Sequence, residues 1–175
     1  MPNHSEIECC AFFVETFESV AARQCNATAV VSGAGSITYQ ELNERANQLA
    51  WRIDELCDNG DDPIAICMNR SIDTIIAVIA ILKAGKAFLP VPVDQPELRV
   101  TYMLRDAQPA LVITHSNHLP MLSALEVPKL CMTELESERH TSNSLRRRLT
   151  HQDAAYYIYT SGSTGRPKAV CVTHS

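Results

Sequence analysis

The chain has 175 residues, 46% of them apolar and 20% charged, with a formal net charge of −5. That is long enough for one domain with a real core, and the composition is ordinary for a globular protein. The negative balance gives no general electrostatic attraction to nucleic acid or to an anionic membrane, so neither is expected as a partner. The longest uninterrupted apolar run, Ile75 to Leu82, is far short of a bilayer span. Seven cysteines form no CxxC pair, and the start Met1-Pro2-Asn3-His4-Ser5-Glu6 lacks the basic and apolar parts of a signal peptide. Reduced thiols and a cytoplasmic location are the expectation. The basic run Arg146-Arg147-Arg148 reads as a solvated face.

From Cys10 to Arg23, Phe13, Phe17, Val20 and Ala21 fall at helical spacing. Thr28 to Ser32 is a short β-prone run closed by the turn Gly33-Ala34-Gly35. Thr38-Tyr39-Gln40-Glu41 has the capping-box form, with a hydroxyl at the cap and a glutamate three residues on. Leu42, Ala46, Leu49, Ile53 and Leu56 continue that helix on one face until Asp58-Asn59-Gly60. Ile64 to Met68 reads as a buried strand. Ser71 caps an apolar helix from Ile72 to Ala84, with Gly85 following as its terminating glycine. Its polar groups are confined to Asp73, Thr74 and Lys83, which predicts a helix sandwiched in the core.

Ala87 to Val93 is a strand whose prolines confine it to an end or an edge. Pro96 suits the first turn of a further helix, with Asp94 or Gln95 before it and Val100, Met103 and Leu104 as its buried side. Ala110 to Thr114 is a strand, and Lys129 to Met132 is a further short one. His115 and His118 have no carboxylate or thiol at ligand spacing, so they read as loop histidines and no metal site is expected. Thr133 to His151 is a polar excursion. Helix and strand alternate from residue 39 to 114, which predicts an α/β fold: a layered, mostly parallel sheet with flanking helices. Leu42, Leu49, Ile66, Ile76, Ile79, Leu82 and Val112 are expected in the core.

The last stretch, Tyr156-Tyr157-Ile158-Tyr159-Thr160-Ser161-Gly162-Ser163-Thr164-Gly165-Arg166-Pro167-Lys168-Ala169-Val170, carries the chemistry. A buried strand runs into a loop of small hydroxyl residues and glycines, and Val170 and Val172 mark a second strand. Such a loop offers N–H and hydroxyl donors to an anion, with Arg166 and Lys168 adding positive charge at its rim. The spacing is not that of a Walker A loop, because Arg-Pro-Lys follows Gly165 and a strand follows in place of a helix. A plain hairpin turn has similar composition.

The string resembles the phosphate-loop motif of the adenylate-forming ligases, and within them that of the adenylation domains of nonribosomal peptide synthetases, roughly YTSGSTGxPKG. Ala169 stands where the family has glycine. Two further phrases resemble the family in order. Ile37-Thr38-Tyr39-Gln40-Glu41-Leu42 is similar to LTYxEL, and Leu82-Lys83-Ala84-Gly85-Lys86-Ala87-Phe88-Leu89-Pro90 is similar to LKAGxAYLP, although Val91-Pro92-Val93 replaces the usual Leu-Asp-Pro. Arg99 with Tyr102-Met103-Leu104 matches RxxYML.

This resemblance, from about Phe12 to His174, implies the N-terminal part of the large subdomain of an adenylate-forming enzyme. Residues 1–175 would be a partial AMP-binding domain that stops just after the phosphate loop, either a fragment or a truncated relative. The implied reaction uses ATP and Mg2+ to activate an amino or other carboxylic acid as an acyl-adenylate, then passes the acyl group to phosphopantetheine on a carrier domain of the synthetase. Thr160, Ser161, Gly162, Ser163, Thr164, Gly165 and Lys168 would hold the phosphates by motif match. The family's adenine and acid pockets and its catalytic lysine lie downstream of this stretch, so no complete catalytic set is expected here and the chain is expected to be inactive alone. The other readings are a fragment of an acyl-CoA ligase, a nucleotide-binding module, or a structural remnant that pairs with other synthetase pieces.

Overall fold

The computed structural model describes residues 13–33, 35–58, 60–135, 143–145, 147, 149–161 and 167–174. The elements are α1 (Phe13–Arg23), β1 (Thr28–Ser32), β2 (Gly35–Thr38), α2 (Tyr39–Leu56), β3 (Ile64–Cys67), α3 (Ile72–Lys83), β4 (Phe88–Pro90), α4 (Glu97–Ala107), β5 (Leu111–Thr114), β6 (Lys129–Cys131), α5 (Met132–Leu135), β7 (Ala154–Ser161) and β8 (Pro167–Thr173). Six strands form one sheet in the order β6-β5-β3-β4-β7-β8, and β1 and β2 form a separate antiparallel pair. Every pairing in the large sheet is parallel except that of β7 with β8. The expected α/β architecture is therefore the one observed.

The central strands explain the layering. β3 and β5 are four-residue apolar strands buried on both faces, the usual condition of a parallel sheet covered by helices on each side. Successive side chains point to opposite faces. Ile64, Ile66, Leu111 and Ile113 go to the layer built by α2 and α3, together with Leu49, Ile53, Ile76 and Ile79. Ala65, Cys67, Leu89 and Val112 go to the other face, against Val100, Met103 and Leu104 of α4. All seven expected core residues are buried.

The local signals act as the sequence predicts at several places. Thr38 accepts from the Glu41 amide at 3.2 Å while the Glu41 carboxylate accepts from the Thr38 N–H at 3.0 Å, so the capping box is complete. Thr38→Ala is expected to lower stability by about 0.5–2 kcal/mol, read as a lower urea midpoint at unchanged slope. Ser71 and Thr74 form the equivalent box at α3, and Gly85 takes the left-handed φ of +70° that ends it.

Three expectations are corrected or narrowed. The turn after β1 contains an additional strand, β2, pairing antiparallel from Gly35 to Thr38. β4 is an interior strand between β3 and β7, so of the end or edge expected from its prolines the end is the one observed. Its pairing is only three residues long, Pro90 sits at its end, and the ladder resumes where the Val91 N–H donates to the Ile66 carbonyl at 3.0 Å. At α4 Pro96 stands one residue before the first turn it was expected in, at the cap position and without a side-chain hydrogen bond.

Among the described residues no helix is long and apolar enough to cross a membrane. None of Cys25, Cys57, Cys67, Cys131 and Cys171 is in a disulfide. Burial pushes the Cys67 thiol up to about 12, which makes it a packing group and a poor nucleophile.

Candidate functional site

After β3 the chain turns into α3 on one face of the sheet, and after β4 it turns into α4 on the other. The two connections diverge at the C-terminal ends of adjacent strands. In open parallel sheets this reversal opens the crevice where ligands bind. Here it opens a cavity of about 370 Å³ whose wall includes Met68, Asn69, Arg70, Pro92 and Asp94. β7 runs parallel to β4, so its C-terminal end lies at this same end of the sheet. Only Tyr156 pairs with β4, opposite Phe88, and their rings stack at 5.3 Å. Residues 157–161 are paired with β8.

The β7–β8 register decides which sequence-predicted residues meet. Thr160 is directly opposite Lys168, and Ser161 is opposite Pro167. Directly opposed residues share a face, so the Thr160 and Lys168 side chains project from the same face near the described end of the hairpin. Both are exposed, and Lys168 forms no ion pair with any described residue. A hydroxyl donor beside an uncommitted cation suits a phosphate oxygen. Gly162, Ser163, Thr164 and Gly165, with Arg166, lie outside the described residues.

Ala169, which replaces the glycine of the resembled motif, sits in β8 opposite Tyr159. Among the described residues Gln108 is the sole non-glycine with positive φ, so Ala169 has ordinary extended backbone and its Cβ is tolerated.

Tyr159 is a residue the motif contains but sequence reasoning left without a role. Its hydroxyl donates to Asp106 Oδ2 at 2.6 Å, with the Met103 carbonyl 3.2 Å away. Burial, then the hydrogen bond to Asp106 and the charge of that carboxylate, raise the phenol well above its ordinary range, and Tyr102 adds to the effect. The unfolded chain therefore loses this proton first. Stability from this contact is complete below about pH 10 and falls as pH rises beyond it. Tyr159→Phe is expected to flatten that alkaline decline in urea midpoints measured from neutral to alkaline pH.

Two other networks escaped the sequence. Asp73, in the first turn of α3, accepts from Arg45 at 2.9 Å and lies 3.0 Å from His115 Nε2, which joins α2, α3 and the end of β5. Lys83 is buried to 2% exposure, pairs with Glu18 of α1, and lies 5.8 Å from the Phe17 ring centre. The Ser144 hydroxyl donates to the same Glu18 oxygen. Lys83 was visible as a polar group in an apolar helix, but its partner lies 65 residues away, and no local pattern identifies it.

Comparison with known proteins bears on the family and the fold. The AMP-binding enzyme family pattern matches residues 17–175. Tyrocidine synthase 3 of Brevibacillus parabrevis is 44% identical over 162 residues, covering 90% of this chain. Bacitracin synthase 2 of Bacillus licheniformis is 42% identical over 158 residues, again covering 90%. The chain spans only 2% and 6% of the lengths of these two relatives. The nonribosomal peptide synthetase FmoA3, solved with α-methyl-L-serine-AMP, superposes with a TM-score of 0.80 at 29% identity over 94% of this chain and 18% of its own. The N-terminal subdomain of Klebsiella oxytoca NpsA gives 0.82 at 26% identity over 93% of this chain and 42% of its own. The chain belongs to the AMP-binding enzyme family and is built like the N-terminal part of the adenylation domain of a nonribosomal peptide synthetase.

Proposed function

We propose that residues 1–175 are the phosphate-binding part of an adenylation domain, which activates an amino or other carboxylic acid with ATP and hands the acyl group to phosphopantetheine on a carrier domain. The observation that carries this reading is the register that sets Thr160 opposite Lys168 near the end of β7, at the end of the sheet where β3 and β4 diverge. Lys168 and Thr160, with Ser161, Gly162, Ser163, Thr164 and Gly165 of the same motif, would hold the β- and γ-phosphates of ATP, and Mg2+ would enter as the counterion of those phosphates.

In this reading the carboxylate of the acid attacks the α-phosphorus, the α–β bridging bond breaks, and pyrophosphate leaves with its charge. A cation fixed beside the departing oxygens favours that charge more in the transition state than in the ground state. The described residues supply this electrostatic part and no nucleophile. The acid pocket and the transfer step belong to sequence beyond the matched stretch. Partners are the acid, a carrier domain and other synthetase domains, acting in the cytoplasm. The coverage of the synthetase relatives at 44% and 42% identity favours this reading over an acyl-CoA ligase fragment.

The test is a chimera in which this chain replaces the matching 162 residues of tyrocidine synthase 3. Acid-dependent exchange of labelled pyrophosphate into ATP supports the reading. A folded chimera without exchange contradicts it.

A further inference from the structure

We infer that the Tyr159–Asp106 hydrogen bond is a positioning contact, which ties the phosphate-binding end of the β7–β8 hairpin to α4 and fixes where Thr160 and Lys168 stand. The inference deepens the functional reading above and rests on it. Tyr159 immediately precedes Thr160, and its cross-strand partner Ala169 immediately follows Lys168. One side chain therefore anchors the base of both limbs. That anchor matters because the hairpin end has little other support. Among the described residues β7 makes one backbone pair with β4, Phe88–Tyr156, against seven with β8, and β8 is the last strand of the sheet.

The opposite face of the hairpin is open as well, since Ile158 and its partner Val170 are 44% and 46% exposed. On the α4 side Tyr157 and Tyr159 pack against the cluster formed by Val91, Val100, Met103 and Leu104. Tyr159 alone adds a directional bond there, and a bond to a carboxylate is among the stronger kind. Apolar packing leaves a strand free to slide or twist by a fraction of an ångström; a short hydrogen bond at one point does not. Displacements of about 1 Å at a reacting centre are enough to slow chemistry about 100-fold. Tyr159 is thus a positioning residue that acts through its neighbours and touches no reacting atom itself.

The first test uses the 175-residue chain and amide hydrogen exchange. Tyr159→Phe and Asp106→Ala are expected to speed exchange at Thr160 and Lys168 about tenfold, the effect of one hydrogen bond, while amides of α2 and β3 keep their rates. Asp106→Asn keeps a neutral acceptor and is expected to restore most of the protection. No change at Thr160 and Lys168, or a uniform rise over α2 and β3, overturns the inference.

The second test uses the tyrocidine synthase 3 chimera. The same two variants are expected to lower the pyrophosphate-exchange rate about tenfold with the KM for the acid unchanged, and Asp106→Asn is expected to recover it. An active chimera whose rate ignores both variants overturns the positioning role and leaves the functional reading standing. An inactive unmodified chimera overturns the functional reading and the positioning role with it, and the hydrogen-exchange result then reports a structural contact alone.

Discussion

Lys168→Ala is expected to slow acid-dependent ATP–pyrophosphate exchange by about 10²–10³-fold in the tyrocidine synthase 3 chimera, with the KM for the acid little changed. The expectation follows from where the charge goes. As the bond to the α-phosphorus breaks, negative charge builds on the pyrophosphate oxygens, and Lys168 is the described cation at the end of β7 with no ion-pair partner among the described residues. Thr160→Ala removes a neutral donor from the same place, so its effect is expected to be smaller than that of Lys168→Ala. The contrast matters, because a variant that merely loosened the hairpin would act alike at either position. Exchange unaffected by Lys168→Ala would mean that the hairpin is a turn and not a phosphate clamp. Ala169→Gly is expected to bring no gain, since Ala169 already sits in extended backbone and glycine in a strand is the weaker residue.

The second large effect concerns the fold. Lys83→Ala is expected to cost about 3–5 kcal/mol, because it removes a fully enclosed side chain together with its ion pair to Glu18. A loss of that size is a large share of the roughly 5–15 kcal/mol that holds a domain together. The paired change Glu18→Leu with Lys83→Met removes both charges and keeps the volume, and is expected to be far milder. Urea unfolding of the two variants measures the difference. A loss of about 1 kcal/mol or less for Lys83→Ala would class the pair with exposed ion pairs and refute the argument.

What was legible in the sequence follows from which interactions are local. The strands Ile64–Cys67 and Leu111–Thr114 were visible because a strand buried on both faces is a continuous apolar run. The Thr38 and Ser71 caps were visible because each capping contact spans three residues. β2 was hidden because Gly35 and Ser36 are turn-type residues, and only pairing with β1 extends them. Of the end or edge expected from the prolines of β4, the end is observed, because a proline at the terminal rung costs the ladder little when the next residue, Val91, supplies the N–H. The motif proposes Thr160 and Lys168 as site residues, and the hairpin register sets them opposite each other. Neither motif nor periodicity could show that Tyr159 reaches Asp106 across 53 residues, or that Lys83 finds Glu18.

The central claim is that the end of β7–β8 holds the phosphates of ATP. A crystal structure of the chimera with a non-hydrolysable ATP analogue and the acid tests it most directly. The expected result is a β- or γ-phosphate oxygen about 2.7–2.9 Å from Lys168 Nζ, the distance of a charge-assisted hydrogen bond, with the Thr160 hydroxyl turned to the same phosphate group. A triphosphate bound elsewhere on the domain, with Lys168 in solvent, would contradict it.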